Sequence, residues 1–214
     1  MKKLLFAISV VTILFACKSK DKKTDVVDKD KMAVDSTLIT DSSWGLISIK
    51  TDLDALKRDF GTANLLDTSI CGPECADTIA VTIVYPHTSK EMIVYWSDSF
   101  YHKAVDAVET DQEHSPYHTA DGIKIGSTLT NIQKARGGRL TFSGFGWDYG
   151  GYITSFSDTT LGKSQLAVRM DIAQHPGPDS LYGDRELNTD MPVVKNNMDK
   201  IVVTELRLSF FRPL

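Results

Sequence analysis

From Trp44 onward the apolar positions fall into two helical stripes, each followed by runs of β-branched and aromatic residues. Leu53, Leu56 and Phe60 stand three and four apart, the spacing of one face of a short helix, and Gly61 supplies its stop. Leu129 and Ile132 repeat the stripe ahead of Gly137. After the first helix, residues 78–85, 91–96 and 103–108 read as strands, bounded by the turn residues 86–89 and 97–99. After the second, residues 140–145, 151–156, 165–171 and 200–210 do the same. In the last of these Ile201, Val203, Leu206 and Leu208 break strict alternation, which predicts a bulge near Thr204. Consecutive strands with short connections predict an antiparallel meander with the helices on one face, an α+β fold.

The two stripes are the same pattern 76 residues apart. Ile47, Ile49, Thr51, Leu53, Leu56, Arg58 and Gly61 fall on Ile123, Ile125, Ser127, Leu129, Ile132, Lys134 and Gly137. Thr51 with Asp54 resembles a capping box, and Ser127 holds the corresponding place, so these two hydroxyls are the expected helix caps. The folded part divides into two tandem units, 42–110 and 111–214, the second carrying a loop at 172–199.

The first residues belong to neither unit. Two lysines precede an apolar run of thirteen residues from Leu4 to Ala16, too short for the roughly 20 that span a bilayer as a helix, so residues 1–16 read as a signal peptide. The run ends Leu14-Phe15-Ala16-Cys17, which resembles a bacterial lipobox. That resemblance implies cleavage before Cys17 and lipid attachment at Cys17, with several acyl chains making the anchor effectively permanent. Behind it, residues 18–41 carry six lysines and six aspartates with no aromatic, glycine or proline. Residues 17–41 are therefore expected to be a disordered tether, with a reach of roughly 25 to 30 Å. Lys18 differs from the aspartate of an inner-membrane retention signal, so the cell envelope, and its outer membrane, is the expected location.

A capped helix opened by residues 122–129, closed by Gly137 and followed by an antiparallel sheet resembles the SmpA/OmlA group of small outer-membrane lipoproteins. Two such units in tandem resemble the β-lactamase-inhibitory protein fold. The resemblance implies a fold of two similar units and an interaction role; no inhibitory position can be matched residue by residue.

Charge narrows the partners. The formal charge is −4, and loss of Lys2 and Lys3 with the signal peptide leaves 22 Lys+Arg against 28 Asp+Glu, a net −6 that argues against nucleic acid. Cys71-Gly72-Pro73-Glu74-Cys75 has three residues between its cysteines where a redox dithiol has two. A structural disulfide between Cys71 and Cys75 is the expectation in an oxidising envelope. His102, His114 and His118, near Asp111, Glu113 and Asp121, lack any metal-ligand spacing, and Pro116 interrupts the last pair, so a solvated linker outweighs a metal site. No catalytic residue and no cofactor are assigned.

Two loops are the better candidates. Residues 142–152 hold five aromatics and four glycines, the composition of a hairpin that presents rings to a partner. Phe145, Trp147, Asp148, Tyr149 and Tyr152 are the assigned contacts, with Trp147 and Tyr149 exposed at the turn and Asp148 orienting it. The alternative places Phe142, Phe145 and Tyr152 inward. The 172–199 loop, with three prolines and no apolar period, is either functional or mobile. Together these features predict a lipid-anchored envelope module that binds a protein or another envelope macromolecule without catalysis. The alternatives are a metal-assisted hydrolase using the linker histidines and a purely structural outer-membrane component.

Overall fold

The computed structural model describes residues 35–72, 75–98, 100–156, 159–160, 165–173 and 177–210. Residues 1–16, read as a signal peptide, Cys17 and most of the stretch expected to be a tether lie outside the described residues. The fold is α+β and mostly strand. Among the described residues no helix is long and apolar enough to cross a membrane.

Three short strands open the domain: β1 (Leu38–Ile39), β2 (Ser43–Trp44) and β3 (Ile47–Ser48). They precede α1 (Leu53–Phe60), a 3-10 turn at Thr62–Asn64, and the strands β4 (Leu65–Cys71), β5 (Thr78–Val84), β6 (Met92–Trp96) and β7 (Val105–Thr110). The strand β8 (His118–Thr119) leads to α2 (Leu129–Arg136), followed by β9 (Leu140–Ser143), β10 (Ile153–Phe156), β11 (Thr159–Thr160) and β12 (Leu166–Ile172). The chain continues through β13 (Glu186–Asn188) and the short α3 (Pro192–Lys195) to β14 (Ile201–Ser209).

The main sheet has the order β12-β14-β7-β6-β5-β4, and every pair in it is antiparallel. A second sheet, β11-β10-β9-β13, meets it where Tyr152 bridges Arg169. Gly151 lets the two come together: at φ +81° a Cβ there would lie 1.9 Å from the Met170 carbonyl oxygen. The third sheet, β3-β2-β1-β8, joins the opening strands to the segment between β7 and α2. The bulge expected near Thr204 is present, since Arg169 pairs with Glu205 and Met170 with Val203.

One core fills the side of the main sheet that carries the helices. Leu56 and Phe60 of α1 and Leu129 and Ile132 of α2 pack with Val84, Met92, Val94, Val108, Leu206 and Leu208. Each such side chain contributes about 1.5 to 3 kcal/mol on leaving water.

The helix ends repeat bond for bond at the 76-residue offset, but one position beyond the expected caps. Asp52 accepts from the Ala55 amide at 2.8 Å and Thr128 from the Asn131 amide at 3.1 Å. Thr51 and Ser127 are occupied otherwise, accepting from the amides of Ser48 (2.9 Å) and Lys124 (3.0 Å) and closing the turn before each helix. Gly61 and Gly137 end the helices with matching amide bonds to the Lys57 and Gln133 carbonyls.

Three boundaries move. The end of the stretch expected to be a tether is part of the fold: Leu38 and Ile39 pair with β8, and Ile39 is buried, because its side chain joins the core. The segment taken as a solvated linker is packed, with Ser115, Tyr117 and Thr119 buried and the Tyr117 ring edge-on to Trp44 at 5.5 Å. The 172–199 loop is built into the fold over its described residues. Leu181, Leu187 and Val194 reach the core, β13 pairs with β9, and Pro192 opens α3. β4 lies ahead of residue 78, where the first strand of this sheet was expected to begin.

Candidate binding face

The strands β5 and β6 are apolar on both sides. Val84, Met92, Val94 and Trp96 enter the core, while Ile79, Ile83, Ile93 and Tyr95 point the other way, half-buried and outside the core cluster. Ile83 pairs with Ile93 and Val81 with Tyr95, so these side chains form one patch. Leu66, 43% exposed, and Ile70 extend it across β4, paired with Ile83 and Ile79. An antiparallel sheet with one wet face alternates apolar and polar residues. Here the wet face is apolar over three strands, the kind of patch that marks an interaction surface.

A charged band borders the patch on β7, β14 and β12. Arg207 reaches Glu109 at 2.6 Å and lies 4.1 Å over the Tyr95 ring. Next to them Arg169 stands 3.5 Å from Glu205 and 5.3 Å from the Tyr152 ring centre, while the Tyr152 hydroxyl donates to Glu205 at 2.7 Å. Burial, then the Glu109 charge, pushes the Tyr95 phenol up to about 12. Burial raises the Glu109 carboxyl as well, against the opposing pull of its bond from Arg207. The band is charged yet internally paired, so it gives the face direction without an uncompensated ion.

The residues assigned from the sequence separate into three groups. Phe145 is 1% exposed and packs on Phe142 (5.8 Å) and Tyr182 (6.2 Å), so it is core and cannot touch a partner. Tyr152 belongs to the charged band through Glu205 and Arg169 rather than to the hairpin tip. At the tip Trp147 is half-buried instead of exposed, because its indole N–H donates to the Gly144 carbonyl at 2.8 Å. Tyr149 is exposed at 69%, edge-on to Trp147, and Asp148 is exposed beside it. Cys71 and Cys75 are joined in a disulfide, Cα to Cα 4.7 Å, at the end of β4.

Phe100 and Tyr101 escaped the sequence reading. They are strongly exposed, 83% and 68%, their rings edge to face at 4.9 Å. The loop beneath them is ordered by Asp98, which accepts from the amides of Tyr101, His102 and Lys103, and by His102 stacked 4.8 Å over Trp96. The adjacent pair Phe100-Tyr101 in a turn between two strands was the available signal. For the sheet face it was the unbroken apolar runs of β5 and β6.

The histidines are dispersed. His102 stacks on Trp96, His114 is exposed beside Glu113, and the His118 ring nitrogen lies 3.1 Å from the Pro116 carbonyl oxygen. Among the described residues no three His, Cys, Asp or Glu side chains gather in a metal-holding group.

Neither a protein-family model nor a curated protein matches this chain. Among solved structures it is similar to the uncharacterized protein yfeY from Escherichia coli, at 12% identity and a TM-score of 0.46, over 81% of this chain and 99% of that one.

Proposed function

We propose that this chain is a lipid-anchored envelope module, held at the outer membrane through Cys17, that works by binding another protein on the open face of its main sheet. The observation that carries this reading is the apolar wet face of β4, β5 and β6 beside an internally paired charged band. Exposing Ile79, Ile83, Ile93 and Leu66 to water has a cost that a covering partner removes. The reading needs no cofactor and no catalytic step. It includes two similar units, supported by the capped helices that recur at the 76-residue offset and by the pairing of β7, the last main-sheet strand of the first unit, with β14, that of the second. In that respect the chain resembles the tandem arrangement of the β-lactamase-inhibitory protein fold.

A photo-reactive residue placed at Ile83 in intact cells tests the face, with the same residue at Lys57, on the exposed side of α1, as the control. A discrete adduct from position 83 and none from 57 is the expected pattern. Equal labelling from both positions would remove the face as the binding site. Separately, Cys17→Ala should leave the chain uncut or soluble. A processed, membrane-bound Cys17→Ala chain would end the anchor assignment.

A further inference from the structure

We infer that the open edge of the main sheet is a docking edge for a second copy of this chain, paired antiparallel along β4 about a two-fold axis at Thr68. The strand ends the sheet order and, among the described residues, pairs on one side only, in unbroken register with β5 from Leu65 to Cys71. Among the described residues, the backbone from 66 to 70 makes no hydrogen bond outside the β4–β5 ladder. Unpaired edges attract other chains, and proteins blunt them with lysine, proline, bulges or cover. β4 has no lysine, arginine, proline or register shift. Its one charge, Asp67, already accepts from the Thr82 hydroxyl at 2.6 Å.

The sequence of the edge is complementary to itself in one register. Antiparallel pairing about Thr68 sets Leu66 against Ile70 of the second copy, both on the open face. It sets Asp67 against Ser69 of the second copy, a carboxylate against a hydroxyl donor. Pairing about Asp67 would instead oppose two carboxylates, and pairing about Ser69 would set Thr68 against Ile70. Of these three central registers the one about Thr68 alone matches apolar with apolar and keeps like charges apart, and it pairs the whole strand from Leu65 to Cys71. It also joins the apolar faces of β4, β5 and β6 from both copies into one surface, so a second copy doubles the candidate binding face. The dimer stands apart from the function proposed above: a monomer would leave the single-copy face intact.

Sedimentation of the purified full-length chain, at concentrations on the order of 100 μM where micromolar association is complete, tests the inference. The expected result is a dimer that Thr68→Lys weakens about 100-fold or more, by placing two ammonium groups across the axis, with an unchanged circular dichroism spectrum. Thr68→Cys fixes the register. Its Cα should stand about 4.5 to 5.5 Å from its symmetry mate, within disulfide reach. Mild oxidation should then give a covalent dimer in which peptide mass spectrometry finds position 68 joined to itself. Leu66→Cys should cross-link only when mixed with Ile70→Cys. A monomeric parent chain, a dimer indifferent to Thr68→Lys, or self-linking of Leu66→Cys would each overturn the proposal.

Discussion

Arg207 and Glu109 face each other across β14 and β7, adjacent strands inside the main sheet, with the guanidinium 2.6 Å from the carboxylate and stacked over Tyr95. Side-chain exposures of 30% and 18% place the pair between a surface bridge, worth under about 1 kcal/mol, and a buried one, whose breaking costs about 3 to 5.

Arg207→Met should therefore cost about 2 kcal/mol at pH 8, from the Glu109 carboxylate left half-buried without its partner. The loss should shrink toward pH 4. A carboxyl raised in the folded state weakens folding as pH climbs through the ordinary glutamate range, since the unfolded chain gives up its proton first. Glu109 is already raised by burial, and removing Arg207 raises it further. Urea midpoints at pH 4 and pH 8 measure this, and a loss equal at both would contradict it.

Tyr95, Tyr117 and Tyr152 all have phenols raised by burial, Tyr95 to about 12. Spectrophotometric titration of the native chain should leave these three protonated at pH 11, and guanidinium should release them. Raised phenols contribute stability that is present below pH 10 and lost as pH rises toward 12. The melting temperature should fall across that interval, and full ionisation of all seven tyrosines by pH 11 in the native chain would refute the assignment.

Asp52→Ala and Thr128→Ala should each cost about 1 kcal/mol, the usual worth of a helix cap. Asp52→Asn should retain most of the stability, because the amide oxygen still accepts from Ala55. Chemical denaturation reads all three, and no change in either alanine variant would show that the cap bonds contribute nothing.

The aromatic hairpin should divide in the same way. Trp147→Ala removes a half-buried ring and the bond to Gly144, and should cost about 1 to 2 kcal/mol. Tyr149→Ala should stay within about 0.5 kcal/mol, as expected of an exposed residue without a packing role. Thermal melts of the two variants give the comparison, and equal losses would mean that the tip packs as one unit.

What the sequence revealed was what local chemistry decides. β-branched runs marked β5, β6, β12 and β14, the broken alternation at Thr204 marked a bulge, and Gly61 and Gly137 marked the helix ends. The caps slipped by one residue because Thr51 and Ser127 are as suited to capping as their neighbours. Only the turn before each helix, which claims those hydroxyls for the amides of Ser48 and Lys124, decides between them. β4 escaped because Asp67, Thr68 and Ser69 carry no apolar period, and an edge strand is held mainly by its backbone ladder. Residues 177–199 looked structureless because their order comes from distant partners. Thr189 accepts from the Leu140 amide at 3.1 Å, and Leu187 pairs with Phe142. The apolar open face was hidden by its own pattern, since a run apolar on both sides looks the same whether its second side is covered or bare.

The place of β14 bears on how the chain acquires its structure. It is the last strand in chain order, yet it lies between β12 and β7. Until residues 201–209 arrive, β7 and β12 are both unpaired margins and Val108 lacks its neighbour Leu208. The β4–β7 half of the main sheet can pair as it emerges, but it joins β12 only through β14, so closure of the sheet waits for residues 201–209, a long-range step that slows folding. The sheet thus closes from within, by a strand that slots between two partners made well before it.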